Sequence, residues 1–249
     1  ENSFKKENIS LSFIFSLSRL LICFIFAYLI ILLSVLSKFT SKSQINKSYL
    51  HPIKNFLKRY GKFAFIILIL ISLYRIADIV MGVMANIFYL EKGYKISEIA
   101  TFSKFFGVFA TILGGLVGGY SAYKFGTMKA LFFGALVAAS SNLLFAWLAV
   151  SKISINFLIA VITADNISSG FAGAAFVVYL SGLTSIKFTA TQYALFSSIM
   201  LFLPKLIAGY AGSWVDVFGY PYFFILTAIL GLPVLFLIIW ISKIAPIKN

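Results

Sequence analysis

Cysteine is almost missing from this sequence, and the single Cys23 can form neither an intramolecular disulfide nor a thiolate metal site. Histidine is as scarce. His51 stands alone beside Pro52, so neither a zincin pair nor a Ser-His triad can be assembled. The chain therefore reads as no enzyme, with no cofactor and no metal. Acidic residues number only 7 against 21 Lys and Arg, and charged residues reach just 11%, too few to clothe a water-soluble domain. What fills the chain instead is apolar: 61% hydrophobic residues and a mean hydropathy of +1.00. The solvent these residues require is a lipid bilayer.

A helix crossing the hydrocarbon core needs about 20 mostly apolar residues. Seven runs meet that length: Ile9–Leu36, Phe63–Leu90, Glu98–Tyr123, Thr127–Val150, Ser154–Leu180, Ala190–Ser213 and Tyr220–Ile241. The first is too long for the apolar core of a signal peptide and no small-residue cleavage pattern follows it, so it is expected to stay in the membrane. Barrel strands would alternate with period two over about ten residues, whereas these runs are continuously apolar over far more. The fold class is all-α, a polytopic transmembrane bundle. Turn punctuation separates most runs, as in Glu91-Lys92-Gly93 and Lys124-Phe125-Gly126. The exception is a Lys-, Ser- and Asn-rich connection after the first run. Three regions follow: residues 1–36 as tail and extra helix, 37–62 as a basic loop, and 63–249 as a six-helix bundle.

The net charge of +14 is distributed as a membrane topology signal rather than a nucleic-acid patch. Lys38, Lys42, Lys47, Lys54, Lys58, Arg59 and Lys62 crowd the long connection and place it in the cytoplasm, facing anionic lipid. Lys124, Lys129, Lys187, Lys243 and Lys248 then fall on the same side, twelve basic residues against five on the other (Lys5, Lys6, Lys92, Lys95 and Lys152). No nucleic-acid role is expected.

The third run closes with G-Y-S-A-Y-K-F-G (Gly119 to Gly126) and the sixth with G-S-W-V-D-V-F-G (Gly212 to Gly219), 93 residues later. Three crossings lie between them, and an odd number inverts the second copy. Such inverted 3+3 pairs build one half of a major facilitator fold. Gly114/Gly118 and Gly115/Gly119 each stand four residues apart and predict a seam where another helix backbone comes close. Pro204 and Pro233 predict kinks.

Ionisable groups deep in apolar runs are costly and mark functional candidates. In the six-helix block they are Arg75, Asp78, Lys104, Asp165 and Lys205, with Asn166 beside Asp165. Arg75 and Asp78, three apart on one helix, can pair, as a structural or gating pair or as part of substrate binding or proton coupling. Asp165 is either a proton carrier or an acid satisfied by a donor on another helix. Lys104 and Lys205 sit on helices that the repeat pairs, where they could meet substrate carboxylates or snorkel to the interface.

The segments Y-R-I-A-D (Tyr74 to Asp78), A-T-I-L-G-G-L-V-G-G (Ala110 to Gly119), D-N-I-S-S-G-F-A-G-A-A-F-V (Asp165 to Val177), F-T-A-T-Q-Y-A-L (Phe188 to Leu195) and F-G-Y-P-Y-F-F (Phe218 to Phe224) resemble the AmpG-type muropeptide permeases of the major facilitator superfamily. The resemblance covers roughly Tyr74 to Trp240. It implies proton-gradient-driven import of anhydro-muropeptides, small glycopeptides of cell-wall turnover, across the bacterial inner membrane, with an N-terminal six-helix bundle as the missing partner. The superfamily pattern G-x-x-x-D-R-x-G would put Asp where Tyr123 stands, which removes that carboxylate from any gating role. An acetyl-CoA-type carrier, another solute permease, or a noncatalytic membrane interaction subunit or remnant are the alternative readings. The chain opens on Glu1 without an initiator Met, as a cut piece or a downstream fragment of a broken gene would.

Overall fold

The computed structural model describes residues 18–19, 21–35, 37 and 41–244. The start of the first apolar run (residues 9–17), Lys5, Lys6, Lys38 and Lys248 lie outside them. The described residues fall into two compact units, one ending at Asn55 and one beginning at Phe56. In the first, α1 (Leu21–Val35) is an apolar helix with exposed side chains. Among the described residues, six helical stretches are long and apolar enough to cross a membrane, so this is a polytopic helical bundle.

The basic connection is not the loop that its composition suggests. It is helical over α2 (Lys42–Ile45), a π turn (Asn46–Leu50) and α3 (His51–Tyr60). The reason is amphipathic spacing: Phe56 is buried and Tyr60 half-buried four residues on, while Lys54, Lys58 and Arg59 stay in solvent. Phe56 packs edge-on against Phe196, and the Arg59 guanidinium donates to the carbonyls of Leu183 and Thr184. A cation thus covers the last carbonyls of a long helix, where the helix dipole favours it.

The second run is two helices, α4 (Ala64–Leu73) and α5 (Ile76–Lys92), interrupted at Tyr74–Arg75. The third comprises α6 (Ile96–Phe102), a π turn (Ser103–Gly107) and α7 (Val108–Phe125); α8 (Thr127–Val150) and α9 (Ile155–Leu183) follow without interruption. Helix α10 (Thr189–Ala208) ends four residues after Pro204, short of the expected Ser213. The stretch α11 (Ala211–Leu230) turns sharply at Gly219, and α12 (Leu232–Ile244) begins after Gly231. Pro233 lies in the first turn of α12, where its missing N–H is not needed, so the break falls at Gly231.

The repeat is visible in the backbone. Gly126 (φ 90°, ψ 150°) and Gly219 (φ 75°, ψ 164°), 93 residues apart, hold the same conformation, one that side-chain-bearing residues rarely adopt. Helix starts at Ile96 and Thr189 share that spacing. Together these describe a six-helix bundle consistent with half of a major facilitator fold.

The tightest helix pair is α7 with α9. A Cβ on Gly114 would sit 2.1 Å from the Ile167 carbonyl oxygen, one on Gly118 2.4 Å from that of Phe171, and one on Gly170 2.2 Å from that of Thr111. Backbone lies directly on backbone, as small residues allow in a membrane bundle. Gly115 is looser, 3.9 Å from the Gly170 carbonyl, and Gly119 faces open space. Elsewhere the core is aromatic: Phe88, Phe145, Tyr220 and Phe224 pack ring to ring among α5, α8 and α11.

Candidate functional site

The interruption at Tyr74–Arg75 is held by other helices. Tyr74, 5% exposed, stacks on Phe176 of α9 at 4.4 Å and donates its hydroxyl to the Leu131 carbonyl of α8 at 3.2 Å. Arg75 then leaves helical geometry (φ −99°, ψ 13°) and begins α5. Its Nε lies 3.0 Å from Oδ2 of Asp78 in the first turn of α5, and its Nη2 donates to Ser169 Oγ of α9 at 3.0 Å. Asp78 therefore occupies the end of α5 where a negative charge is stabilised by the helix dipole and by Arg75 together.

Asp165 faces the same region from α9. Its Oδ1 is 3.5 Å from Ser141 Oγ of α8, while Ser168 Oγ reaches both Ser141 Oγ (3.1 Å) and the Asp165 carbonyl (2.8 Å). Next to Ser141, the fully buried Asn142 donates to the Ala77 carbonyl at 3.4 Å, and its Oδ1 has no partner among the described residues. Two carboxylates and one guanidinium thus share a polar cluster inside an apolar bundle, contributed by α5, α8 and α9.

The other sequence candidates are placed differently. Asn166 binds across the α7–α9 seam: Thr111 Oγ1 lies 3.0 Å from its Oδ1, and its Nδ2 donates to the Ile162 carbonyl at 2.8 Å. Lys104, in the π turn of the third run, and Lys205 on α10 are exposed and make no ion pair among the described residues. The structure does not join them to the cluster. Sequence reading missed Thr111 and the serines at 141, 168 and 169 as partners; the only signal was their place on helices that carry charge. A cavity of about 870 Å³ runs along α12 past Pro233, Phe236 and Lys243, and it includes none of the cluster residues.

Geometry of this kind defines a class: a polytopic membrane bundle with a charged polar cluster in its interior. Comparison with known proteins gives the relatives. The chain is 36% identical over 194 residues to the Rickettsia felis protein named "Putative transporter AmpG 4", a match covering 78% of this chain and 46% of that relative. It is 36% identical over 193 residues to "Putative transporter AmpG 1" of Rickettsia bellii, covering 77% and 47%. A 33% identical match of 214 residues is found with the protein of the latter name in Rickettsia prowazekii, covering 79% and 48%. The chain spans about half the length of the curated relatives it matches. No family model matches it. The similarity read from its motifs to AmpG-type proteins is thus found across most of the chain.

Proposed function

We propose that the chain forms the C-terminal half of a secondary transporter of the bacterial inner membrane, importing anhydro-muropeptides with protons. In this reading residues 63–249 are the transport bundle, and residues 1–62 are an extra helix and a cytoplasmic connection. The observation that carries it is the cluster of Arg75, Asp78 and Asp165 inside the bundle, since intramembrane charges are retained at ion and substrate pathways. One guanidinium neutralises one carboxylate. A proton on Asp165 leaves the cluster without net charge; its loss leaves one uncompensated anion in a low-dielectric interior, which costs several kcal/mol, on the order of the burial penalty for an unpaired ion. Proton occupancy and cluster geometry are thereby coupled, which is what symport requires.

Substrate sites in this fold lie between two halves. The relatives' greater length supports a second bundle as the partner, and the exposed apolar side chains Phe109, Leu113, Leu116 and Tyr120 on α7 suit such a contact. The test is proton-gradient-dependent uptake of labelled anhydro-muropeptide into vesicles, with this chain alone and with an N-terminal family bundle supplied separately. Uptake only with both pieces is expected. No uptake with both pieces folded and inserted contradicts the reading.

A further inference from the structure

A guanidinium has five N–H donors, and only part of that of Arg75 is occupied. Nε lies 3.0 Å from Asp78 Oδ2 as an ion pair without hydrogen-bond geometry, and Nη2 donates to Ser169 Oγ at 3.0 Å. Nη1 has no partner among the described residues, yet it is not one of the bundle's buried unpaired atoms. The Arg75 side chain is 23% exposed against 11% for Asp78, and Nη1 is the guanidinium nitrogen that neither Asp78 nor Ser169 engages. The Nη1 edge borders Gly173 of α9, one helical turn beyond Ser169. A Cβ on Gly173 would stand 3.3 Å from Nη1, tighter than ordinary contact. One face of α9 thus grips one guanidinium nitrogen with a hydroxyl and clears space beside the other.

We propose that the open Nη1 edge of Arg75 is the recognition point for a carboxylate on the transported solute, and that Gly173 is the residue that sets access to it. Asp78 and Ser169 fix the plane of the guanidinium, which prepares it for planar, bidentate recognition of a carboxylate. A lysine in its place would offer a point charge without that geometry. Gly173 is a positioning residue: it makes no bond to the solute and keeps the approach open.

The inference rests on the transporter reading above, and its test reads out binding rather than transport. The full chain is reconstituted in bilayers and treated with an arginine-selective dicarbonyl reagent, and modification of Arg75 is followed by mass spectrometry. N-acetylmuramic acid, with a free carboxylate, is titrated against its methyl ester. The free acid is expected to slow modification about tenfold, the lower end for a hydrogen bond to a charged group, and the ester to leave it unchanged. Gly173→Ala should keep Arg75 reactive but lose most of that protection, and Ser169→Ala should weaken protection without changing the fold. Equal protection by acid and ester, or full protection in Gly173→Ala, overturns the proposal. Acid-specific protection without uptake would keep this recognition point and sink the transport reading; uptake without acid-specific protection sinks the recognition point alone.

Discussion

Four glycines within six residues of α7 should respond to the same substitution in two opposite ways. In Gly114→Ala the new methyl would stand 2.1 Å from the Ile167 carbonyl oxygen, and in Gly118→Ala 2.4 Å from that of Phe171. Backbone atoms cannot swing aside as a flexible side chain does, so α7 and α9 must part by at least about 1 Å at Gly118, and more at Gly114, to reach ordinary contact. Overpacking of this kind costs about 1–3 kcal/mol, and at a backbone contact the upper end applies. Gly115→Ala meets only the Gly170 carbonyl at 3.9 Å, and Gly119→Ala meets nothing. Both gain the helix preference of Ala over Gly, about 0.5–1 kcal/mol. Reversible unfolding of the purified chain in mixed micelles, followed by helical circular dichroism, measures all four. The expected order has Gly114→Ala and Gly118→Ala well below the parent, with Gly115→Ala and Gly119→Ala level with it or above. Equal losses at all four positions, or a neutral Gly114→Ala, would refute the backbone contact.

Arg75→Leu leaves Asp78 unpaired in the bundle and should cost about 3–5 kcal/mol in the same unfolding assay, while Arg75→Leu combined with Asp78→Leu recovers most of the loss; additive losses would exclude a coupled pair. Tyr74→Phe keeps the stack on Phe176 but deletes the bond to the Leu131 carbonyl, for a loss of about 1 kcal/mol; an unchanged midpoint would mean that bond contributes nothing. Gly219→Ala forces a methyl-bearing residue to φ 75° and should cost about 1–2 kcal/mol, with Gly126→Ala matching it if the two turns are equivalent; clearly unequal losses would break the repeat at this point.

The bundle is legible in sequence because the membrane imposes a length: runs such as Thr127–Val150 have no alternative that satisfies their backbone in hydrocarbon. The repeat was legible through Gly126 and Gly219, whose backbone geometry demands glycine. What composition hides is tertiary in origin. Nothing in Leu73-Tyr74-Arg75-Ile76 contains the Gly or Pro that usually marks a break; the interruption comes from Tyr74 reaching α8 and Arg75 reaching α9. The helical connection was concealed because its lysines dominate composition, while its packed face rests on few residues such as the buried Phe56. Arg75, Asp78 and Asp165 stood out as charges in apolar runs, yet their gathering depends on helix packing that no spacing encodes. Asn166 stood out equally, and the structure ties it into the α7–α9 seam instead.

The measurement that tests the central claim most directly separates exchange from uphill transport in vesicles holding this chain together with an N-terminal family bundle. With Asp165→Asn, exchange of labelled for unlabelled anhydro-muropeptide should persist while accumulation driven by a proton gradient disappears. Accumulation unaffected by Asp165→Asn would contradict the assignment of this cluster to proton coupling.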